Sequence, residues 1–191
     1  MIYLDHNATT PPDEEVISAM MPYFREFYGN ASSRTHLFGW DAREAIDLAR
    51  QQLASLLRVK PRELVFTSGA TEAVNLALRG LFPPDDSKGA RLLTLKTEHK
   101  AVLDTCLWLE KHQGVHIDYL ETDAQGHISL QHLAKAIKPQ TRLVAIMFAN
   151  NETGLIHPVR EIAEICRQAE TTFFCDATQA VGKIEVHPET L

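Results

Sequence analysis

The stretch that decides the fold is Thr171-Thr172-Phe173-Phe174-Cys175-Asp176-Ala177-Thr178-Gln179. It predicts a short buried strand that ends in a carboxylate, followed by a turn of small residues and an amide. Many α/β enzymes present a charge in this way at the carboxyl edge of a parallel sheet, where such sheets bind ligands. Asp176 and Gln179 are therefore candidate site residues, although an acid at this position is also typical of a helix N-cap.

Strands and helices alternate along the chain before this stretch. Strands are predicted over residues 63–66, 91–95, 115–120, 142–148 and 172–175, and helices over 39–57, 72–81, 100–112, 130–137 and 158–168. An earlier helix starts within residues 11–15 and has an apolar face formed by Met20, Met21, Phe24 and Phe27. This alternation predicts βαβ units with right-handed crossovers, and so an α/β fold with a mostly parallel sheet flanked by helices. Residues 1–15 are expected to form an N-terminal arm.

Composition and charge argue against several classes of protein. The 191 residues are 45% hydrophobic and 23% charged, which suits one folded domain, and the formal net charge of −6 comes without a basic stripe. Nucleic acid and membrane surfaces are therefore not expected partners. The apolar runs are too short to span a bilayer, and no signal peptide is expected. Three separated cysteines fit a reducing cytoplasm, which is the expected localisation.

Small and hydroxylated residues form a second candidate site at Thr67-Ser68-Gly69-Ala70-Thr71-Glu72. Here a predicted strand gives way to a helix, whose free N–H groups and positive end attract anions. Small side chains at Ala70 and Thr71 would let a phosphate approach. The alternative is an ordinary helix N-cap with Glu72 in the first turn. The segment is neither a Gly-x-Gly-x-x-Gly pattern nor a Lys-containing P-loop, which disfavours nucleotide binding.

Polar residues also follow two other predicted strands. His99, after strand 91–95, could stack on a ring, relay a proton or bind a metal, and the alternative is a histidine satisfied at a helix start. Asn150 and Asn151, after strand 142–148, suit ligand hydrogen bonds, although Asn-Asn is also common in turns. The nine histidines show no His-x-x-x-His on a credible helix, so no metal site is predicted.

These four places lie at the carboxyl ends of four predicted strands, which meet at one edge of a parallel sheet. Together they offer an anion cradle, an imidazole ring, amides and an acid. A phosphorylated ring cofactor with a basic ring nitrogen would use all of them. Pyridoxal 5'-phosphate is such a molecule, and a carboxylate beside its ring nitrogen keeps that nitrogen protonated.

Six segments resemble the cysteine desulfurases, pyridoxal-phosphate enzymes of the class V aminotransferase group, and they occur in the order found in that family. The segments are Tyr3-Leu4-Asp5-His6-Asn7-Ala8-Thr9-Thr10-Pro11, Gly29-Asn30-Ala31-Ser32-Ser33, Phe66-Thr67-Ser68-Gly69-Ala70-Thr71-Glu72, Lys96-Thr97-Glu98-His99-Lys100-Ala101-Val102, Asn150-Asn151-Glu152-Thr153-Gly154 and Asp176-Ala177-Thr178-Gln179-Ala180-Val181-Gly182-Lys183.

The resemblance implies a fold and a set of cofactor contacts. The fold would resemble the large domain of fold-type I pyridoxal-phosphate enzymes, with residues 16–191 as a partial cofactor-binding domain that is incomplete at its C-terminus. Each candidate residue would contact one part of the cofactor. Ala70 and Thr71 would bind the phosphate, and His99, the catalytic candidate, would stack on the ring and could also relay a proton. Asn151 would contact the substrate side of the ring, Asp176 the ring nitrogen and Gln179 the ring hydroxyl.

The resemblance also implies an activity. Such enzymes take sulfur from L-cysteine, leave alanine, and hold the sulfur as a persulfide that supplies iron–sulfur cluster assembly or thiolation. They act as homodimers and pass sulfur to an acceptor or scaffold protein. The family's Schiff-base Lys and persulfide Cys have no match here, so the chain is expected to be the N-terminal part of such an enzyme. Alternatives are a selenocysteine lyase, another class V aminotransferase, or a non-catalytic truncated remnant. Cys106, Cys166 and Cys175 are predicted to be small core residues.

Overall fold

Within residues 2–190, which the computed structural model describes, four parallel strands form one sheet in the order β2-β1-β3-β4. The strands are β1 (Arg91–Leu95), β2 (His116–Leu120), β3 (Thr141–Ala145) and β4 (Thr172–Phe174). The central strands β1 and β3 are buried on both faces, as is typical of parallel sheets that helices cover from either side. The predicted α/β fold with a parallel sheet is confirmed.

Six α-helices occur in the described residues, and each was expected from the sequence pattern. They are α1 (Glu14–Arg25), α2 (Leu37–Leu57), α3 (Ala70–Leu81), α4 (Lys100–Gln113), α5 (Leu130–Ala136) and α6 (Val159–Gln168). Short 3-10 helices cover Pro61–Glu63, Pro84–Asp86 and Pro188–Thr190. None of the helices in this part of the chain combines the length and the apolar character that a membrane crossing requires.

Apolar clusters cover the two faces of the sheet. On one face, Leu78 of α3 packs in a cluster with residues of α4 and with Leu92 of β1. On the other face, Ile162 of α6 packs in a cluster with residues of α5 and with Leu93 of β1. Because successive residues of a strand point to opposite faces, the neighbours Leu92 and Leu93 serve different clusters. This layering explains why the central strands are apolar throughout.

The chain divides into two compact units, one up to Val65 and one from Phe66 onward. The sheet, its helices α3 to α6 and both apolar clusters lie in the second unit. The first unit contains α1 and α2. No residue of α1 is buried, and Phe24 on its predicted apolar face is 69% exposed. The sequence-based division into an arm over residues 1–15 and a domain over 16–191 stays a prediction.

The strand predicted over residues 63–66 is wrong. Residues Pro61–Glu63 form a 3-10 helix, and residues 64–66 have no regular structure. The Glu63 carboxylate accepts the N–H of Lys60 at 2.8 Å, which closes the short helix. Arg50 Nη1 donates to the carbonyl of Leu64 at 2.5 Å, so a side chain takes the acceptor that a neighbouring strand would use.

Candidate functional site

The carboxyl edge of the sheet has a switch point between β1 and β3. From β1 the chain passes through α4 to β2 on one side, and from β3 it passes through α6 to β4 on the other. Since α4 and α6 cover opposite faces of the sheet, the segments that leave β1 and β3 diverge. Open α/β sheets bind ligands in the crevice that such divergence creates. These two segments carry the predicted site residues His99 and Asn151.

The C-terminal end of α3 lies near the start of β3. Arg142, at the start of β3, donates from Nη1 to the Leu81 carbonyl at 3.2 Å, so α3 ends at the opposite, amino edge of the sheet. The twelve residues of α3, at about 1.5 Å each, cover roughly 18 Å. That length is enough to reach the carboxyl edge, but the strand 63–66 that was expected to place Ala70 and Thr71 there is not formed, so their placement at this edge stays a prediction.

The first turn of α3 suits an anion. No side chain caps the helix at Gly69, and a Cβ added to Gly69 would meet no atom within 4 Å, so space is open there. Glu72 Oε2 accepts the Ser68 hydroxyl and N–H at 2.5 and 2.6 Å, and these bonds lower the pKa of the Glu72 carboxyl. The carboxylate is thereby held against Ser68, which leaves the first N–H groups of the helix, at Ala70 and Thr71, for a ligand.

His99 is the N-cap of α4. Its Nδ1 accepts the N–H of Ala101 at 3.1 Å, which is the satisfied helix-start arrangement considered from the sequence. In the neutral ring the proton must then be on Nε2. The side chain is exposed, so the ring is fixed through one nitrogen while its face and Nε2 remain available at the sheet edge. The helix-start alternative for His99 is therefore confirmed, and its stacking on a ring stays a prediction.

The two amides after β3 have different environments. Asn150 is buried, donates from Nδ2 to the Thr97 carbonyl at 2.8 Å, and accepts two backbone N–H groups of its own turn at Oδ1. It joins the segment after β3 to the segment that precedes His99. Asn151 is half-buried and is the member of the pair that remains a ligand candidate.

Asp176 lies two residues beyond the end of β4 and is half-buried. Its Oδ1 accepts both the N–H and the hydroxyl of Thr178, at 3.0 and 2.6 Å, which fixes the carboxylate in an Asx turn and leaves Oδ2 for a partner. Gln179 follows in the same turn, and its Oε1 accepts from Lys183 Nζ at 2.5 Å. Residues 171–179 thus hold the Asp176 carboxylate in a fixed position at the edge of the sheet.

This donor set fits pyridoxal phosphate. The uncapped start of α3 offers N–H groups and a hydroxyl to a phosphate, the His99 ring offers a flat face, and Asp176 offers a carboxylate oxygen to a protonated ring nitrogen. The individual contacts assigned to these residues, and those assigned to Asn151 and Gln179, stay predictions.

Glu98 is a site residue to which sequence reasoning gave no role. It is 5% exposed, and its Oε1 accepts the N–H of Met147 at 2.9 Å. Burial raises the pKa of its carboxyl to about 8, against the lowering effect of the Met147 N–H and with a further rise from the charge of Asp176. A charged residue between Thr97 and His99 after a strand looks like a surface residue, so only its burial could have identified it.

The three cysteines are inert in their surroundings. Cys106 and Cys166 are buried, which confirms the prediction that they are core residues, and Cys175 is half-buried. Burial raises the pKa of the thiols of Cys106 and Cys175 to about 12 and that of Cys166 to about 11. A nucleophilic cysteine needs a depressed pKa, so none of these thiols is suited to accept sulfur.

We expect all three thiols to react slowly with iodoacetamide in the folded protein. At pH 8 a thiol of pKa 12 is ionised in only about one molecule in ten thousand. Cys175 should react first, because it is less buried and lines a cavity of about 410 Å³ beside β4. Peptide mass spectrometry of native and denatured samples measures the rates. Rapid native labelling of Cys106, Cys166 or Cys175 would contradict the assignment.

The sequence profile of the family described as Aminotransferase class-V matches residues 2–191. The chain belongs to the class V aminotransferases. The group that the six segments resemble is thereby confirmed, and pyridoxal phosphate is the cofactor of that family, as expected from the sequence.

Among class V aminotransferases, the cysteine desulfurase IscS of Haemophilus ducreyi is 49% identical over 192 residues, which cover 100% of this chain and 47% of the relative. A solved structure described as a NifS-like protein has a TM-score of 0.94 at 38% identity, over 98% of this chain and 52% of that one. Another, described as SspA in complex with cysteine, has a TM-score of 0.93 at 36% identity, over 98% and 54%. The chain spans about half the length of the curated relatives it matches.

Proposed function

We propose that this chain forms the cofactor-binding part of a pyridoxal-phosphate-dependent cysteine desulfurase, which converts L-cysteine to L-alanine and passes the sulfur on as a persulfide. The observation that carries the proposal is that His99 and Asp176 follow parallel strands of one sheet and so lie at its carboxyl edge, and the uncapped start of α3 supports it. Relatives named cysteine desulfurase that match the whole chain support this activity over others of the family.

The residues of the edge would divide the binding of the cofactor between them. Ala70 and Thr71 would bind the phosphate, and His99 would stack on the ring. Asp176 would hold the proton on the ring nitrogen. The bound cofactor supplies an electron sink next to the substrate α-carbon, so that the carbon–sulfur bond can be weakened.

Two further contacts would orient the ring. Asn151 would touch its substrate side, and Gln179 would bind its hydroxyl. His99 Nε2 carries the proton in the neutral ring, because Nδ1 accepts the Ala101 N–H. This nitrogen is the group that would exchange a proton with the substrate, with its position fixed by the start of α4.

The sulfur-accepting cysteine would come from the rest of the enzyme, since the thiols of this chain have raised pKa values. The lysine that anchors the cofactor would come from there too, because no segment of this chain resembles the family's Schiff-base segment. We also propose a cytoplasmic homodimer that delivers sulfur to an acceptor protein for iron–sulfur cluster assembly or thiolation. The exposed apolar side chains of the first unit, such as Phe24 and Tyr28, each 69% exposed, support a partner surface there.

The test uses the protein as its gene encodes it, with the 191-residue chain alone as the comparison. We expect the encoded protein to show visible absorbance after addition of pyridoxal phosphate. With an added dithiol, whose oxidation to a disulfide supplies the two electrons that reduce the persulfide sulfur to sulfide, it should release sulfide and alanine from cysteine faster than selenide from selenocysteine. The 191-residue chain alone should do neither. Sulfide release by that chain would place the nucleophile among its own residues, and an encoded protein without any cofactor absorbance would contradict the proposed function.

A further inference from the structure

Glu98 lies at the switch point between β1 and β3, yet the proposed function assigns no role to it. It follows β1 by three residues and is 5% exposed. Its Oε1 accepts the N–H of Met147 at 2.9 Å, while its Oε2 is buried without a hydrogen-bond partner among the described residues. Burying an unpartnered polar atom costs folding free energy, so a carboxyl group in this place calls for an explanation.

The Glu98 side chain extends the link between β1 and β3. The paired register of these strands ends at Thr94 and Ala145, so the backbone ladder does not reach Met147. The Glu98 carboxyl accepts the Met147 N–H in place of the carbonyl that a longer β1 would supply. It also ties the turn that leads into His99 to the segment after β3.

The same segment is held from its other side by the backbone of Asp176. Phe148 donates its N–H to the Asp176 carbonyl at 2.9 Å. Neighbouring residues of an extended segment direct their N–H groups to opposite sides, so Met147 bonds towards β1 and Phe148 towards β4. Residues 146–148 are therefore clamped between the segment that carries His99 and the segment that carries Asp176.

We propose that Glu98 is a positioning residue for this site. Through Met147 and Phe148 it sets the distance between His99 and Asp176. The identity of the cofactor in this inference rests on the proposed function. A ring stacked on His99 and paired with Asp176 needs both groups at a fixed separation. Beyond the last ladder pair, the Glu98 bond and the bond from Asn150 Nδ2 to the Thr97 carbonyl join the β1 and β3 sides of the crevice, and the Glu98 bond is the one that holds residues 146–148 directly.

The charges around Glu98 support this role. Its carboxyl has a pKa of about 8, raised by burial, lowered by the Met147 N–H and raised by Asp176. The other titratable groups that interact with it are the thiols of Cys106 on α4 and Cys175 after β4, and burial keeps both neutral by raising each pKa to about 12. At neutral pH the Glu98 carboxyl is therefore mostly protonated in the folded protein.

Because the pKa of the Glu98 carboxyl is raised in the folded state, this group should make the protein less stable as the pH increases. The native state holds the Glu98 proton up to about pH 8, whereas the unfolded chain releases it near the ordinary value of 4.5. The contribution of the Glu98 proton to the free energy of unfolding is therefore complete below pH 4.5 and is lost as the pH rises from there to about 8. A Glu98→Gln variant keeps an oxygen for the Met147 N–H and cannot ionise. Its melting temperature should therefore rise relative to the parent as the pH increases from about 6 to about 9.

The experiment compares Glu98→Ala, Glu98→Gln and the parent in the protein as its gene encodes it. Glu110→Gln is the matched control, because it makes the same chemical change at an exposed position of α4. The readouts are the dissociation constant of pyridoxal phosphate from visible absorbance, hydrogen exchange of the peptide that contains Met147, and the melting temperature at several pH values. None of them depends on turnover.

We expect Glu98→Ala to weaken cofactor binding by about tenfold, as for a lost buried hydrogen bond, and to speed exchange at residues 146–148. Glu98→Gln should bind within about threefold of the parent and lose the alkaline destabilisation. Glu110→Gln should match the parent throughout. The inference would be overturned if Glu98→Ala bound pyridoxal phosphate and exchanged its amide hydrogens at residues 146–148 like the parent. Equal weakening of cofactor binding in Glu98→Ala and Glu98→Gln would also overturn it.

Failure of the proposed function gives a different result. A protein that binds pyridoxal phosphate but releases no sulfide from cysteine contradicts the activity, while the three readouts still test Glu98. A protein that does not bind the cofactor contradicts the proposed function as well. In that case faster exchange in Glu98→Ala, restored in Glu98→Gln, supports the positioning role, and unchanged exchange overturns it.

Discussion

If the protein is the proposed desulfurase, replacing Asp176 with asparagine is expected to lower its rate of alanine formation from cysteine, assayed with an added dithiol as reductant, by about 100-fold. This is a loss of roughly 3 kcal/mol, of the kind found when one partner of a buried charge pair is removed. The change removes a charge and keeps the local fold. An asparagine oxygen can still accept the N–H and the hydroxyl of Thr178, which hold the Asx turn in the parent. The effect should therefore come from the lost partner of the ring nitrogen.

The visible spectrum of the bound cofactor and the steady-state rate together measure this effect. Asp104→Asn, on an exposed position of α4, is the matched control and should leave both unchanged. A change in the absorbance of bound pyridoxal phosphate in Asp176→Asn, with a small change in melting temperature, would locate the defect at the ring. Full activity with an unaltered spectrum would remove Asp176 from the site.

The convergence of the site could be predicted because it follows from topology. Apolar runs bounded by polar residues mark strands such as 91–95, and the helices between them force the strands to be parallel. In a parallel sheet every residue that follows a strand is at the same edge. His99, Asn151 and Asp176 therefore had to lie along one edge, whatever the details of their side chains.

Side-chain hydrogen bonds determine two features that the sequence pattern could not predict, namely the structure of residues 63–66 and the difference between Asn150 and Asn151. The run at 63–66 has a strand-like composition, but the Lys60–Glu63 turn and the Arg50 bond to Leu64 give it another structure. The difference between Asn150 and Asn151 likewise depends on the Thr97 carbonyl, which is 53 residues away in sequence. Pattern reasoning sees periodicity and composition, and these bonds change neither.

Burial was the other quantity that the sequence could not supply. Periodicity shows that α1 has an apolar face, but not what covers it, and Phe24 is exposed in the structure. Glu98 is the opposite case, since a residue of charged type is almost fully enclosed. Its carboxyl pKa of about 8 follows from that enclosure, so its neutral state could not be predicted either.

The largest effect on stability is expected from Leu78→Ala. Leu78 is fully buried in the cluster of α3, α4 and the sheet. Deleting a buried leucine side chain leaves a cavity and costs about 2–5 kcal/mol, against a total of about 5–15 kcal/mol for a typical folded protein. Urea denaturation followed by circular dichroism should show a lower midpoint with the same slope.

Two control variants separate the cavity from other effects of the substitution. Leu76→Ala makes the same change two residues earlier on α3, at a side chain that is 56% exposed, and should cost no more than about 1 kcal/mol. Leu78→Met keeps the volume and should cost less than about 1.5 kcal/mol. Because Ala70 and Thr71 at the start of α3 are the residues proposed to bind the phosphate, Leu78→Ala should weaken cofactor binding at temperatures where it begins to unfold, and Leu76→Ala should not. A midpoint for Leu78→Ala equal to that of Leu76→Ala would show that α3 is not anchored to the sheet through Leu78, and something else would then have to hold the residues proposed to bind the phosphate in place.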